Sequence, residues 1–414
     1  MNHVLVVEDS PIIIKILKKL ISDIGGFKPF YATSLAEATA MIDQSSQKFF
    51  AAIVDLNLPD APSGEVVEYV LANDIPTIVL TGSYDEKKRE SFFSAGIVDY
   101  VVKESRFSYE YAIQLVHRLE KNQSINVLVV EDSLSSRNFI RKLLEKHLFN
   151  VYEAENGVEA VEMLTSNPDI HLMITDYNMP EMDGFELITH IRRKMDKSSL
   201  IIIGLSSEGD AHLSAKFIKN GANDFLKKPF IHEEFHCRIN HNIEEMELLN
   251  QIKDIANKDY LTGLYNRRHF YTQSEKIIAQ YQGSATPISA CLIDVDHFKR
   301  VNDTYGHDIG DLALVHVANI LKEKFESFCP ARFGGEEFAV LFPRLDVEKA
   351  AQLVDHVRQM LEGSPIEVGE EDVFLTFSAG IALFKNDMDE TLKEADERLY
   401  RAKEAGRNIV IYDD

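Results

Sequence analysis

The sequence predicts an α/β protein in three parts: two doubly wound parallel-sheet domains in tandem, then an α+β domain. Three observations carry this. The heptapeptide V-L-V-V-E-D-S stands at Val4–Ser10 and again at Val127–Ser133, an identity that marks a duplicated domain. Behind each copy, apolar runs alternate with helical patterns, the signature of βαβ units and a parallel sheet. After Pro229 the alternation gives way to a long polar helical stretch and then to strands that end in acids. A chain of 414 residues exceeds what one core supports, and the expected domains are 1–122, 123–245 and 259–414, with 246–258 as a linker helix.

Each copy opens on an apolar β run ending in Glu-Asp. An amphipathic helix follows, its apolar side formed by Ile12, Ile13, Ile16, Leu17 and Leu20 in the first copy and by Phe139, Ile140, Leu143 and Leu144 in the second. A further buried run ends in an aspartate, A-A-I-V-Asp55 and L-M-I-T-Asp176. The next ends in a hydroxyl, T-I-V-L-Thr81 and I-I-I-G-L-Ser206. The last ends at a lysine, D-Y-V-V-Lys103 and D-F-L-K-Lys228-Pro229. Sites on parallel sheets lie at the carboxyl ends of the strands, which is where all these polar residues fall. Three acids at one edge (Glu8, Asp9, Asp55; Glu131, Asp132, Asp176) repel one another unless a hard divalent cation sits among them, and Mg²⁺ takes such oxygen ligands. One carboxylate oxygen is then available to attack phosphorus, with the lysine and the hydroxyl holding the added phosphoryl oxygens. A single acid at a strand end reads as a solvated loop residue. Five ordered positions in duplicate do not.

Both copies resemble the receiver domains of two-component response regulators. The resemblance implies a flavodoxin-like fold, with Asp55 and Asp176 as phospho-acceptors. It further implies Mg²⁺ (or Mn²⁺) held by the neighbouring acids and by the carbonyls of Asn57 and Asn178. Tyr100 and Phe225 are implied as aromatic switch residues that reorient when Thr81 or Ser206 is drawn toward the phosphoryl group. A histidine kinase or phosphotransfer protein is the implied partner. The second copy matches more fully, because N-M-P-E-M-D-G and Lys228-Pro229 stand as the family has them. In the first, Lys103 is followed by Glu104 and the segment from Asp55 to Thr81 is shorter, so the cis-proline loop is expected only in the second.

Beyond Pro229, Phe235, Ile239, Met246 and Leu249 approximate a heptad. The stretch is either a helical pairing between subunits or the last helix of the second domain running on as a linker. From Asp259 the chain reads D-Y-L-T-G-L-Y-N-R-R, then I-S-A-C-L-I-Asp294-Val295-Asp296-H-Phe298-Lys299-R-V-Asn302, then Asp311, and later Arg332-F-G-G-Glu336-Glu337-F. A hairpin turn at Gly334-Gly335 would bring Glu336 and Glu337 beside Asp294, as a cage for divalent cations carried by a nucleoside triphosphate. Positive charge comes from Y-R-A-Lys403-E-A-G-Arg407-N, with Lys403 and Arg407 four apart on one helical face.

These four segments, over 259–412, resemble the GGDEF family of diguanylate cyclases in its G-G-E-E-F form. The resemblance implies an α+β fold like the nucleotide-cyclase and polymerase palm, and one GTP per domain. Asn302 and Asp311 would read the guanine, and Asp294, Glu336, Glu337 and the Val295 carbonyl would ligate Mg²⁺ or Mn²⁺. Phe298, Lys299, Lys403 and Arg407 would line the substrate, with Arg332 neutralising transition-state charge. The implied reaction joins two GTP into cyclic di-GMP and two pyrophosphates, which requires two domains face to face and so a homodimer. The family's product-inhibition motif R-x-x-D is replaced by Phe325-Glu326-Ser327-Phe328, so feedback by product at that place is not expected. A GTP or cyclic di-GMP sensor without turnover, and a phosphorelay protein whose output is interaction alone, are the alternatives. Both would require an inert G-G-E-E-F site.

Composition excludes several classes. Lys+Arg of 44 against Asp+Glu of 67, a net charge of −23, repels phosphate backbones and anionic lipid, so neither nucleic acid nor membrane is an expected partner. Cys237, Cys291 and Cys329 are odd in number and lack C-x-x-C spacing, which fits a reducing cytoplasm. The histidines are not expected to build a zinc enzyme, and His297 and His316 read as packed or solvated.

Overall fold

The computed structural model describes residues 1–207, 211–281, 284–369 and 371–413, and the chain divides into two compact units, Met1–Glu247 and Leu248–Asp414.

The first unit holds both repeats. One comprises β1 (Asn2–Val7), α1 (Pro11–Ile24), β2 (Phe27–Ala32), α2 (Leu35–Gln44), β3 (Ala51–Asp55), α3 (Glu65–Ala72), β4 (Thr77–Thr81), α4 (Glu86–Ala95), β5 (Asp99–Val102) and α5 (Arg106–Asn122). The other comprises β6 (Asn126–Val130), α6 (Leu134–Lys146), β7 (Asn150–Ala154), α7 (Gly157–Ser166), β8 (Ile170–Asp176), α8 (Gly184–Arg192), β9 (Ile201–Ser206), α9 (Ala211–Lys219), β10 (Asp224–Lys227) and α10 (His232–Asn257). The sheets run β2-β1-β3-β4-β5 and β7-β6-β8-β9-β10, all parallel. This is the doubly wound flavodoxin-like order. Central strands such as Val4–Val7 and Leu172–Ile174 are buried on both faces, which is why they read as continuous apolar runs.

Side-chain caps start several helices. Asp183 accepts from the amides of Phe185 and Glu186 while Glu186 reaches back to the Asp183 amide, a capping box that opens α8 a few residues after Asp176. Ile12 and Phe139, expected on the inner side of their helices, are instead exposed; the buried stripes are Leu17, Leu20 and Ile21 in α1 and Ile140, Leu143 and Leu144 in α6. Ile12 lies in the first turn of α1, where the chain is still leaving the strand edge, while Phe139 stands mid-helix with its ring against Phe230 and His232.

The repeats pack on each other through unlike faces. From the first come α4, β5 and α5; from the second, the end of α6 and the face of α10. Arg89 pairs with Glu233, Arg118 and Lys121 reach Glu247 at 2.7 and 2.9 Å, and the Asn122 amide donates to the His147 carbonyl at 2.9 Å. Phe93 stacks on His232, and the His147 and His236 rings stack with centroids 3.4 Å apart. A cavity of about 260 Å³ beside this pair is lined by Tyr100, Val98 and Leu115 of the first repeat and by Glu233 and Asn240 of the second.

The second unit is built on a six-stranded mixed sheet, β11-β13-β14-β12-β17-β18, with a separate two-stranded antiparallel ribbon, β15-β16. Its elements are β11 (Tyr265–Asn266), α11 (Arg267–Tyr281), β12 (Ile288–Val295), α12 (Phe298–Tyr305), α13 (His307–Lys324), β13 (Cys329–Gly334), β14 (Glu337–Pro343), α14 (Val347–Glu362), β15 (Ile366–Val368), β16 (Glu371–Val373), β17 (Phe377–Leu383), α15 (Met388–Glu404) and β18 (Val410–Ile411). Helices α12, α13 and α14 cover one face over a core that includes Phe325, Phe338, Phe342 and Phe377. Phe270 of α11 and Met388 and Leu392 of α15 close the other. Each such buried side chain contributes about 1.5–3 kcal/mol of transfer free energy.

Candidate functional site

In the first repeat, Lys103 sits between two carboxylates, its Nζ 2.7 Å from Glu8 and 2.8 Å from Asp55. The backbone holds this in place: the Lys103 amide donates to the Thr81 carbonyl and the Glu8 amide to Ala32. Burial pushes the Glu8 carboxyl above its ordinary value, and the neighbouring Asp55 pushes it further, against the pull of Lys103. Burial also works against the Lys103 charge, but hydrogen bonds and charge from Asp55 and Glu8 outweigh it. The second repeat has the same design, with Lys228 on Glu131 and 2.6 Å from Asp176 and Glu131 raised by its burial.

With Asp9 and Asp132 added, each repeat gathers three carboxylates whose oxygens lie within 4.8 Å of one another. Three acids against one lysine leave an excess of negative charge, which fits a hard divalent cation held by Glu8, Asp9 and Asp55, or by Glu131, Asp132 and Asp176. The amides of Asn57 and Asn178 donate to Asp55 and Asp176 at 3.2 and 3.1 Å. These bonds hold both carboxylates at the strand ends. Thr81 donates to the Ser83 carbonyl at 3.0 Å, with the buried Tyr100 hydroxyl 3.5 Å from the same oxygen. Ser206 is buried, and Phe225 packs on Phe217 with ring centroids 5.3 Å apart. The one cis peptide bond among the described residues is Lys228-Pro229, in the repeat where the sequence placed it.

In the second unit, β12 and β14 are antiparallel with Asp294 opposite Glu337. Gly334 closes the hairpin on Glu337, so the turn residues are Gly335 and Glu336 rather than Gly334-Gly335. Gly335 takes φ +51°, a conformation that most L-residues resist, and this puts Glu336 at the tip. Its carbonyl accepts from the Val295 amide at 3.2 Å. Burial raises the Asp294 carboxyl, Lys403 at 2.8 Å opposes that, and the charges of Glu336 and Glu337 raise it again. Unlike the receiver acids, these three are not drawn within 4.8 Å of one another among the described residues, because the half-buried Glu336 and exposed Glu337 point from an open turn. Their shared effect on Asp294 still marks a place short of positive charge, which Asp294, Glu336, Glu337 and the Val295 carbonyl suit for a hard cation.

Other expected residues fall differently. Arg332 is a clamp: its guanidinium donates twice to the Gly335 carbonyl and, at 2.9 Å, to Asp259. Asp259, despite its burial, is held below its ordinary value by Thr262 and Arg332. Phe298 lies in the core and supports the loop from beneath, while Lys299 is exposed. The Asn302 side chain rests on Gly310, where an added Cβ would come within 1.8 Å of its Oδ1; that close approach seats Asn302 beside the exposed Asp311 at the α12–α13 junction. Lys403 and Arg407 do not share a helical face. Helix α15 ends at Glu404, and Arg407 and Asn408 follow with φ of +68° and +51°, each costing roughly 1 kcal/mol or more in an L-residue.

Sequence reasoning missed Asp296, a buried carboxylate two residues beyond Asp294 that accepts three hydrogen bonds; only its place in the acid-rich strand end pointed to it. It also missed an H-E-x-x-H spacing, His232 to His236. The structure gives these residues to the seam between the repeats, with Glu233 paired to Arg89 and His236 stacked on His147, and no three ligand atoms converge there among the described residues. The heptad splits likewise. Phe235, Ile239 and Ile243 are buried in the second repeat, whereas Leu248, Leu249, Ile252 and Ile255 are exposed.

Comparison with known proteins places this geometry. The model for the response regulator receiver domain matches residues 4–109 and 127–240, and that for the diguanylate cyclase GGDEF domain matches 256–409. The chain is 31% identical over 280 residues to the response regulator PleD of Caulobacter vibrioides, an alignment covering 62% of each protein. It is 34% identical over 168 residues to a diguanylate cyclase of Vibrio cholerae, covering 39% of this chain and 51% of that one. A crystal structure of a two-component system response regulator/GGDEF domain protein superposes with a TM-score of 0.55 at 42% identity, covering 60% of this chain and all of that one. No described helix is long and apolar enough to cross a membrane.

Proposed function

Starting from a chain that belongs to the response-regulator family, with two receiver domains ahead of a GGDEF domain, we propose that it condenses two GTP into cyclic di-GMP and two pyrophosphates under the control of aspartyl phosphorylation. The division into receivers at 1–122 and 123–245, a linker helix at 246–258 and a cyclase domain at 259–414 is part of this reading. The observation that supports it most is the β13–β14 hairpin laid antiparallel on β12, which sets Glu337 across from Asp294 with Glu336 at the tip and Lys403 against Asp294.

Magnesium, when bound, supplies charge neutralisation at the triphosphate and a lower pKa for the attacking 3′-hydroxyl. This chain's residues do the rest. Asn302 and Asp311 orient one guanine by its donor and acceptor edge, a discrimination that leaves an adenine with unpaired groups. Lys403 and Arg407 bind phosphate oxygens. Arg332 acts at one remove, holding the Gly335 carbonyl and hence the carboxylate-bearing turn. Each domain carries one GTP, so the reaction needs two domains opposed, and the exposed Leu248, Leu249, Ile252 and Ile255 of α10 support pairing of two chains along this helix.

In the receivers, Asp55 and Asp176 take the phosphoryl group from a histidine kinase or phosphotransfer protein, with Lys103 and Lys228 released from their carboxylates to hold the new oxygens. The experiment is product analysis by chromatography and mass, using purified chain with Mg²⁺ and GTP, with and without beryllofluoride, beside a Glu336→Ala, Glu337→Ala control. Cyclic di-GMP formed by the native chain, lost in the control and increased by beryllofluoride, is the expected result. GTP bound without product in either condition would make the third domain a nucleotide sensor.

A further inference from the structure

We infer that Asp296 is a positioning residue that fixes the backbone of Arg407 beside the metal-binding strand end. The Asp296 carboxylate is buried, and its acceptor bonds are all short: Thr376 Oγ1 at 2.8 Å, Ser378 Oγ at 2.7 Å and the Asn408 backbone N–H at 3.0 Å. Its own amide donates to the Thr376 carbonyl at 2.9 Å. Two hydroxyls and one amide therefore satisfy the buried carboxylate oxygens. The two hydroxyls belong to the segment entering β17 and to β17 itself, which pairs with β12 through Asp294 and Ser378. The amide belongs to the turn after α15.

That turn keeps one capping bond to α15, from the Arg407 amide to the Ala402 carbonyl. Arg407 and Asn408 are consecutive left-handed residues, a conformation that persists only where its surroundings impose it. Three contacts impose it here: the Arg407 amide on Ala402 O, Arg358 on the Asn408 side chain, and Asp296 on the Asn408 amide. Of these, only Asp296 ties the turn to the strand that carries Asp294. Alanine-like loss of the carboxylate would leave the Asn408 N–H without its acceptor and Arg407 free to leave the strand end.

The inference rests on the reading of Arg407 as a cation for the triphosphate, and the test separates the two. In full-length chain, Asp296→Asn, Arg407→Ala and the double variant are compared for GTP turnover, with guanosine as a competitor that lacks phosphates. Asp296→Asn is expected to raise KM for GTP about tenfold with kcat little changed, the scale of one charge-assisted contact. Guanosine inhibition should be unaltered, and Asp296→Asn should add little to Arg407→Ala. Equal loss of GTP and guanosine affinity, or effects that multiply in the double variant, would overturn the positioning role while leaving the reading of Arg407 intact. A native chain that binds no GTP overturns that reading and this inference with it. Should Asp296→Asn fail to fold, Thr376→Val removes one of the hydroxyl donors and is expected to give a smaller rise in KM with the same unchanged guanosine inhibition.

Discussion

The two receivers bring the same acids and the same lysine to the same strand ends, yet they enclose them to different depths. In the first, the Lys103 side chain is 8% exposed between Glu8 and Asp55; in the second, Lys228 is 19% exposed between Glu131 and Asp176. The aromatics Tyr100 and Phe225 differ in the same sense, Tyr100 being buried and Phe225 half-buried. For Tyr100 the cause is outside the site. Helix α10 and the end of α6 lie on the α4–β5–α5 side of the first receiver, where Tyr100 lines the shared cavity. The same motif therefore stands in two environments. On the proposed function, a phosphoryl group at Asp55 would act beside a packed seam, and one at Asp176 beside an open face.

The largest effect that could break this comparison is in phosphoryl uptake. Labelling with a small phosphodonor should retain one modified receiver in Asp55→Asn and in Asp176→Asn, and none in the double variant; retention of label in the double variant would remove both acceptors from consideration. Next comes the lysine. In buffer free of divalent cations, Lys103→Met leaves buried carboxylates without their cation and should destabilise its receiver by about 3 kcal/mol in thermal or urea unfolding. Lys228→Met, at a wetter site, should cost less, and equal costs would show that the difference in depth has no energetic weight.

A third outcome concerns the seam. Burial holds His147 down to about pKa 3, although a Val98 backbone hydrogen bond opposes this, and His236 also sits well below its usual 6.5. The charged groups around them are Lys146 and His232, which disfavour a proton, with Glu233 and Asp99 on the same cavity. Protons therefore bind the opened or unfolded chain first. The packed form has its full stability above about pH 6.5 and loses it as the pH falls toward 3. For two such histidines the loss between about pH 7.5 and 5.5 is roughly 3 kcal/mol, seen as a lower unfolding midpoint. A His147→Phe, His236→Phe variant should flatten that slope, and an unchanged slope would show that the pair is not what titrates. The smallest effect is at the rim, where Arg89→Ala should cost at most about 1 kcal/mol, because partly exposed ion pairs contribute little.

Much of the receiver site was legible because its grammar is local. Each functional residue ends an apolar strand, and a parallel sheet sends every such end to one edge, so Glu8, Asp55, Thr81 and Lys103 could be assembled without knowing how helices pack. The β13–β14 hairpin and its place beside β12 were legible from a different local signal, two glycines against two glutamates between apolar strands. What escaped was non-local or fell at an element's end. Arg407 looked helical by spacing from Lys403, but helix ends are set by capping and tertiary contact, here with Asp296, which is more than a hundred positions away. The H-E-x-x-H run carried a zinc-like spacing whose meaning depended on a seam between domains, and no periodicity within α10 announces what lies against it.

The way the receivers meet also has a direction. Their contact joins unlike faces, so it has the direction of a step rather than the reciprocity of a handshake, and steps repeated between identical units have no natural last member. Here the step is taken once, inside one polypeptide, between repeats whose sequences have diverged. The α4–β5–α5 side of the first receiver is filled by its own neighbour. The corresponding side of the second still shows Ile218 and Ile231 to solvent. Of two equivalent sides, then, one is covered within the chain and the other is open.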